Sequence, residues 1–192
     1  MVKAANSSAS KPGGRLSLDD WVDAGYAILA EEGIKALKID RLCDRLGVTK
    51  GSFYWHFENL PSYRKTLISA WAQLRDSDRA TFDAPDDSTP RERLSAMMRS
   101  LVGPRHWTLE RAMREWARSD EDVAASVRAA DRRILAAVRR AFEDFGFDAQ
   151  EAELRAGATF AAGIGFLHIS GESPDPRVVS RAERFLDLML QT

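Results

Sequence analysis

Apolar residues recur every three or four positions along most of the chain, with polar residues between them. One such helical stripe, in the segment that begins after Ser17, comprises Leu18, Trp21, Val22, Gly25, Ile28 and Leu29. Ser17 followed by Asp20 resembles a capping box, and Gly33 ends the pattern. No segment shows the strict alternation of apolar and polar residues that a half-buried strand requires. The pattern therefore predicts an all-α protein.

The same periodicity, together with capping residues and breaks at glycine and proline, predicts about nine helices. Their expected ranges are about Leu18–Glu32, Ile39–Leu46, Lys50–His56, Pro61–Phe82, Pro90 to the break at Gly103-Pro104, Arg105–Arg118, Asp120–Phe145, Asp148 to near Gly171, and Pro176 onwards. Residues 1–14 have no apolar periodicity and are expected to form a disordered arm.

Two of the predicted helices, Ile39–Leu46 and Lys50–His56, are too short to be stable alone, so we expect them to be parts of a packed unit. Between them lies Gly47, which permits a left-handed backbone, followed by the apolar Val48. This spacing is typical of a helix-turn-helix, in which the N-terminal end of the second helix enters the major groove of DNA.

The second short helix begins with residue types that suit a DNA contact. Thr49 is expected to cap it, and Gly51 permits close approach of the backbone to a phosphate. Donors to base edges or phosphates are expected from Lys50, Ser52, Tyr54 and His56. Phe53 and Trp55 fit either the core or the groove, whereas Phe57 is expected in the core.

The segment Leu46-Gly47-Val48-Thr49-Lys50-Gly51-Ser52-Phe53-Tyr54-Trp55-His56-Phe57 resembles the signature of the TetR family of bacterial transcriptional regulators, and the likeness extends over about residues 17–80. It implies a DNA-binding domain over residues 15–62 and an effector-binding and dimerisation domain over residues 63–192. It also implies a homodimer formed by helices at about 149–170 and 176–190. Such a dimer would repress from a palindromic operator and respond to a small-molecule effector of unknown identity.

Two positions depart from the family pattern: Lys38, and Leu60, near which members commonly carry a lysine. Members usually carry Ser or Thr where this chain has Lys38, so the cap of the first short helix is lost. We expect Lys38 to contact a DNA phosphate through its charge instead, and Asp40 to interact favourably with the helix dipole.

The charge pattern allows DNA binding only through a local patch. The net charge is −1, but residues 1–65 carry 10 Lys/Arg against 8 Asp/Glu, a net of +2, and the rest carry 18 against 21, a net of −3. The single cysteine, Cys43, excludes an internal disulfide and is expected to be a buried packing residue. No apolar stretch approaches the ~20 residues of a membrane span and no secretory signal is visible, so we expect a cytoplasmic protein with no membrane partner.

The remaining residues do not favour catalysis or cofactor chemistry. His56, His106 and His168 are widely separated and no nucleophile–base constellation is visible, so neither a catalytic site, a metal site nor a cofactor is expected. Bulky apolar residues in the larger domain suit an effector pocket, for which the best candidates are Met97, Met113 and Trp116. A plain helical core explains each of them as well. The alternative function is a helix-turn-helix regulator without a small-molecule ligand, either constitutive or controlled by a protein partner.

Overall fold

The computed structural model describes residues 16–83, 88–101, 104–169 and 176–191, and within them the regular elements are all helices. They are α1 (Leu18–Glu32), α2 (Ile39–Leu46), α3 (Lys50–His56), α4 (Leu60–Asp83), α5 (Pro90–Leu101), α6 (Pro104–Ala117), α7 (Glu121–Phe145), α8 (Ala149–Ile169) and α9 (Pro176–Met189), with a short 3₁₀ turn at Ile34–Ala36. The predicted all-α class is confirmed. The expected arm at residues 1–14 and the expected helix end near Gly171 lie outside the described residues.

Side-chain caps mark the starts of α1, α5 and α7. Ser17 and Asp20 form a capping box at α1, and the hydrogen bonds from Ser17 lower the pKa of the Asp20 carboxyl. Thr89 and Glu92 exchange the same pair of bonds at α5. At α7 the Asp120 carboxylate accepts hydrogen bonds from the first-turn backbone. These bonds satisfy helix-end N–H groups that have no partner within the helix.

The helix-turn-helix is packed around one tryptophan. Trp21 of α1 is fully buried, and its ring lies 5.6 Å from that of Phe53 and 6.0 Å from that of Phe57, in edge-on geometry. Gly47 adopts φ 66° and ψ 34°, the left-handed conformation that the sharp turn between α2 and α3 requires. Local turn chemistry and this aromatic cluster together fix the angle of α3.

The first hydrophobic core continues from the helix-turn-helix into the larger part of the chain. It joins Trp21 and Phe53 to Trp71 of α4, Met113 of α6 and Val127 of α7. The predicted domain boundary, between residues 62 and 63, therefore lies inside α4 and beside a shared core. The helix-turn-helix is therefore held against the rest of the protein by packing as well as by chain connection.

A second core holds α5, α7, α8 and α9 together around Leu94, Phe142, Ala156 and Leu186. Phe145, an apolar residue at the end of α7, is 37% exposed. Phe145 is the last residue of its helix, and its ring stacks on that of Phe147 at 5.6 Å, at the edge of the core. Leu18, at the start of α1, is likewise exposed because the first turn of that helix projects beyond the core.

Candidate nucleic-acid interface

The reading helix α3 is anchored on one side and open on the other. Phe53 is fully buried and Phe57 nearly so, which confirms the expectation for Phe57. Tyr54 and Trp55, the two residues next to Phe53, are 56% and 64% exposed. The sequence left Trp55 undecided between core and surface, and the structure places it on the surface beside Tyr54. The exposed face is therefore broader and more aromatic than the predicted set of contacts.

The start of α3 is uncapped. Thr49 occupies the cap position with extended backbone, but its side chain makes no capping hydrogen bond, so that expectation is wrong. A capping hydroxyl would accept a hydrogen bond from the N–H of Ser52. That N–H instead donates to the backbone carbonyl oxygen of Thr49 at 3.0 Å. Thr49, Lys50 and Gly51 are all exposed. The Thr49 hydroxyl and the first N–H groups of α3 therefore remain available to a phosphate oxygen.

Lys50 is paired within the protein. Its Nζ lies 2.5 Å from Oδ1 of Asp40 on α2, and both side chains are exposed. The hydrogen bond to Asp40 raises the pKa of Lys50 and keeps it protonated. Asp40 thus holds the lysine at the start of the reading helix, a role that the sequence did not indicate because the two residues lie on different helices.

The other predicted contacts differ in exposure. Lys38 is exposed at the cap position of α2 and makes no side-chain cap, as the sequence indicates. Ser52 and His56 are half-buried. The His56 ring lies 5.9 Å from Trp21 and 4.8 Å from Trp55, so part of it belongs to the aromatic cluster. DNA contacts by these residues remain predictions.

Two ion pairs hold α2 against the end of α1. Glu32 accepts hydrogen bonds from Arg41 at 2.7–3.1 Å, and Glu31 accepts two from Arg45 at 2.7 Å each. These bonds lower the pKa of both glutamates. Sequence reasoning missed this clamp, because its partners are 9 and 14 residues apart and the periodic pattern does not pair them.

Burial confirms the expectation for Cys43. Its thiol lies in the first core, and burial together with the nearby charges of Asp40 and Asp44 raises its pKa. A thiol with a raised pKa is a weak nucleophile at neutral pH, so Cys43 acts in packing.

A cavity in the larger part of the chain lies between α4, α5, α6, α7 and α8. Met97 lines it. Met113 and Trp116 do not: both are buried in the first core, on the side that supports the helix-turn-helix, and the effector pocket remains a prediction. The Trp116 indole N–H donates to Asp120 at 3.1 Å, which ties it to the start of α7.

An exposed helix that follows a left-handed glycine turn, packed on a tri-helical aromatic core, defines a helix-turn-helix DNA-binding regulator. Residues 22–59 match the family model for bacterial regulatory proteins of the tetR family. The predicted resemblance to the TetR family is confirmed: this chain carries the family's DNA-binding segment.

Solved structures of regulators share the fold over nearly the whole chain. A transcriptional regulator from Rhodococcus sp. Rha1 is 19% identical, with a TM-score of 0.74 over 91% of this chain and 94% of its own. A TetR transcription regulator from Haloarcula marismortui is 15% identical, with a TM-score of 0.71 over 90% and 95%. SmeT, the repressor of the Stenotrophomonas maltophilia multidrug efflux pump SmeDEF, is 22% identical, with a TM-score of 0.66 over 92% and 89%. At such identities the likeness establishes the fold.

No curated protein sequence matches the chain closely enough to be counted as a relative. Within the described part of the chain, no cluster of His, Cys, Asp and Glu side chains has a metal-binding arrangement. Nor is any helix there both long and apolar enough to cross a membrane.

Proposed function

We propose that this regulator is a homodimeric repressor that occupies a palindromic operator and leaves it when a small molecule binds in the larger part of the chain. The observation that carries the proposal is the solvent-exposed start of α3, where Thr49, Lys50, Gly51 and Tyr54 form one polar surface.

Two copies of this surface are needed for tight binding. α3 has only seven residues, and Asp40 offsets the charge of Lys50 beside it. One helix-turn-helix, here called a reading head, therefore offers few contacts to base edges and little net positive charge. Two heads joined by a two-fold axis would read half-sites about one helical turn (~34–36 Å) or a multiple apart, which adds affinity and requires a palindrome.

Exposed apolar residues on α8 and α9 support dimer formation there. Leu154 of α8 is 66% exposed and Leu188 of α9 is 52% exposed. Gly157 and Gly165 of α8 have no atom within 4 Å of the place where a Cβ would stand, so packing within this chain does not require their small size. A partner helix approaching α8 closely would account for both the exposed leucines and the glycines.

The fold offers a route from an effector to the reading helix. α4 contributes Tyr63 to the first core and Arg75 to the cavity, about 18 Å further along the same helix. A ligand that favours a shifted position of α4 would move the helix-turn-helix with it and change the distance between the two heads. Such a ligand must bind the two positions with different affinity.

Selection of bound DNA from a random pool by the purified protein tests DNA binding, palindromy and half-site spacing together. On the selected operator, Tyr54→Ala and Lys50→Ala should each weaken binding by about tenfold. Arg128→Ala removes an exposed arginine from α7, far along the chain from the reader, and should leave affinity unchanged. If the selected sites lack two-fold symmetry, the dimeric operator is wrong; if both reader variants bind normally, those residues are not part of the interface.

Sedimentation of leucine variants tests the dimer. Leu154→Glu and Leu188→Glu should each yield monomers, because they place charge in the proposed interface. Leu18→Glu changes a similarly exposed leucine on α1 and should remain dimeric. Dimers in both interface variants would contradict the proposal.

Repression and release are tested with a reporter gene behind the selected operator. Reporter output should rise when the protein is removed, and also when a ligand found by thermal shift is added. If no ligand both stabilises the protein and weakens operator binding, the effector part of the proposal fails.

A further inference from the structure

The cavity between α4, α5, α6, α7 and α8 is lined by a basic part, here called the basic wall, and by an apolar part. The basic wall contains Arg75, Arg79 and Arg114, and no Asp or Glu is among the described residues that line the cavity. The other lining residues are largely apolar, among them Met97, Met98, Ile134, Val138, Phe160 and Ile164. A bound molecule would therefore meet both positive charge and hydrocarbon.

Arg75 has donor capacity that the protein does not use. Its side chain is only 9% exposed, and its Nε has no hydrogen-bond partner. The nearest acidic oxygens belong to Glu110, at 3.8 Å, and to Asp78, at 3.7 Å, both beyond hydrogen-bond distance. Arg114 differs, because it forms close ion pairs with Glu110 and Asp131 at 2.7 and 2.6 Å. Arg75 therefore has fewer satisfied donors than Arg114, although the Nε of Arg114 also lacks a partner.

Thr159 is a second unpartnered group at the same cavity. It lies on the otherwise apolar inner face of α8, is 7% exposed, and its hydroxyl has no hydrogen-bond partner in the protein. A buried hydroxyl without a partner is destabilising, and valine would fill the same space without that penalty. Arg75 and Thr159 together therefore offer two buried donors to an acceptor inside the cavity.

We propose that this cavity binds a small organic acid, with its carboxylate hydrogen-bonded to Arg75 and Thr159 and its apolar body packed against α5 and α8. The inference rests on the proposed function, since it assigns the chemical class of that effector. A carboxylate suits two donors better than a neutral group does, because a hydrogen bond to an ion is stronger than one between neutral groups. An amine would be repelled by the basic wall.

The free space favours a compact acid with a single charge. The volume open to the centres of water-sized molecules is about 50 Å³, room for a few waters. Glu110 and Asp78 already offset part of the charge of Arg75 from outside the cavity. Because these two acids already stand near Arg75, a singly charged carboxylate is repelled less than a doubly charged phosphate would be.

Calorimetric titration of the whole protein, without DNA, tests the ligand class. The probes are straight-chain carboxylates from butanoate to decanoate, together with the amide and the primary amine of the same chain lengths. At least one acid should bind, and its amide should bind about tenfold more weakly. If no acid binds, or if the amide or the amine binds as tightly as the acid, the inference is overturned. This comparison needs no variant and so does not depend on how substitutions affect folding.

Variants then test the two donors. Thr159→Val should leave the unfolding temperature of the free protein unchanged or raise it, and should weaken acid binding by about tenfold. Arg75→Lys keeps the charge but removes Nε, and should weaken acid binding by a similar factor. Thr66→Val is the matched control, because the Thr66 hydroxyl bonds to the Ser62 carbonyl oxygen outside the cavity. Unchanged acid binding in both cavity variants would overturn the assignment.

Operator binding separates this inference from the proposed function. An acid that binds through Arg75 and Thr159 but leaves operator affinity unchanged would support the inference and contradict the effector role. Release of the operator by amides or amines, with no response to acids, would overturn the inference and support the effector role.

Discussion

The Tyr63 hydroxyl of α4 donates a hydrogen bond to the carbonyl oxygen of Trp21 of α1 at 2.7 Å, in a fully buried position. Burial raises the pKa of Tyr63, so the hydroxyl keeps its proton over the whole working range of pH. The Tyr63 hydroxyl oxygen also lies 2.0 Å from the place where a Cβ on Gly25 would stand. α1 and α4 therefore meet at a contact that has no room for a side chain at position 25.

Gly25→Ala should be strongly destabilising, and Tyr63→Phe should relieve part of the cost. The added methyl group would lie 2.0 Å from the Tyr63 hydroxyl oxygen and 3.0 Å from each of two Leu67 methyl groups. Such overpacking costs about 1–3 kcal/mol of unfolding free energy. Tyr63→Phe alone should cost about 1 kcal/mol through the lost hydrogen bond. Urea unfolding of the four proteins gives the interaction energy. A double variant whose loss equals the sum of the single losses would show that the hydroxyl is not what excludes the methyl group.

Asp40→Asn should strengthen operator binding at low salt. Asp40 both pairs with Lys50 and places a negative charge beside the phosphates that α3 would approach. Releasing the lysine should raise affinity by up to about fivefold, and the gain should shrink as salt is added. Lys50→Ala should lower affinity and reduce the dependence of log K on log salt by about one unit.

The double variant assigns the gain of Asp40→Asn to its source. In the Lys50→Ala background, the substitution keeps only the part due to reduced repulsion of phosphate, so its gain should be smaller. An equal gain in both backgrounds would show that the ion pair does not restrain Lys50.

The clamp between α1 and α2 should contribute to stability only above acid pH. Hydrogen bonds from Arg45 and Arg41 lower the folded-state pKa of Glu31 and Glu32. The contribution is therefore complete above the ordinary glutamate pKa of about 4.3 and is lost as the pH falls through the lowered folded-state value. The unfolding temperature of a Glu31→Gln/Glu32→Gln variant should lie below that of the wild type at neutral pH and converge with it in acid.

The matched control for the clamp is Glu58→Gln, which changes an exposed glutamate in the same part of the chain. Its unfolding temperature should follow that of the wild type at every pH. If the clamp variant does the same, the two ion pairs add nothing measurable, as is common for exposed pairs.

The local features of the fold could be predicted from the sequence. Ser17 with Asp20, and the left-handed turn at Gly47, were predicted because their signals lie within one helix turn and depend on the residues themselves. The bounds of α1, α2 and α3 were predicted to the residue for the same reason.

Relationships between elements could not be predicted in this way. Thr49 has the right residue type for a cap, but the N–H that it would bond is taken by its own carbonyl oxygen. The sequence shows that Met113 is apolar, but only the packing of α6 decides that its side chain lies in the first core and not in the cavity. The Lys50–Asp40 pair depends on the angle between two helices, which a one-dimensional pattern does not contain.

Two glycines of the helix-turn-helix should respond to alanine in opposite ways. Gly47 has φ +66°, so Gly47→Ala should lower the unfolding free energy by about 1 kcal/mol through backbone strain alone, since nothing lies within 4 Å of the added Cβ. Gly51 has helical backbone, and its added Cβ would make only an ordinary 3.5 Å contact with the Thr49 hydroxyl. Gly51→Ala should therefore keep or slightly raise stability, because alanine is the better helix former by up to about 1 kcal/mol.

The DNA readout of Gly51→Ala should be opposite to its stability readout. If the backbone at Gly51 approaches a phosphate or a base edge closely, the methyl group stands between them, and operator affinity should fall by about tenfold or more while the protein stays folded. Chemical unfolding and operator titration on the same preparation measure both quantities. Normal operator affinity in Gly51→Ala would mean that the start of α3 keeps its distance from DNA, and Tyr54 and Trp55 would then be left as the principal reading surface.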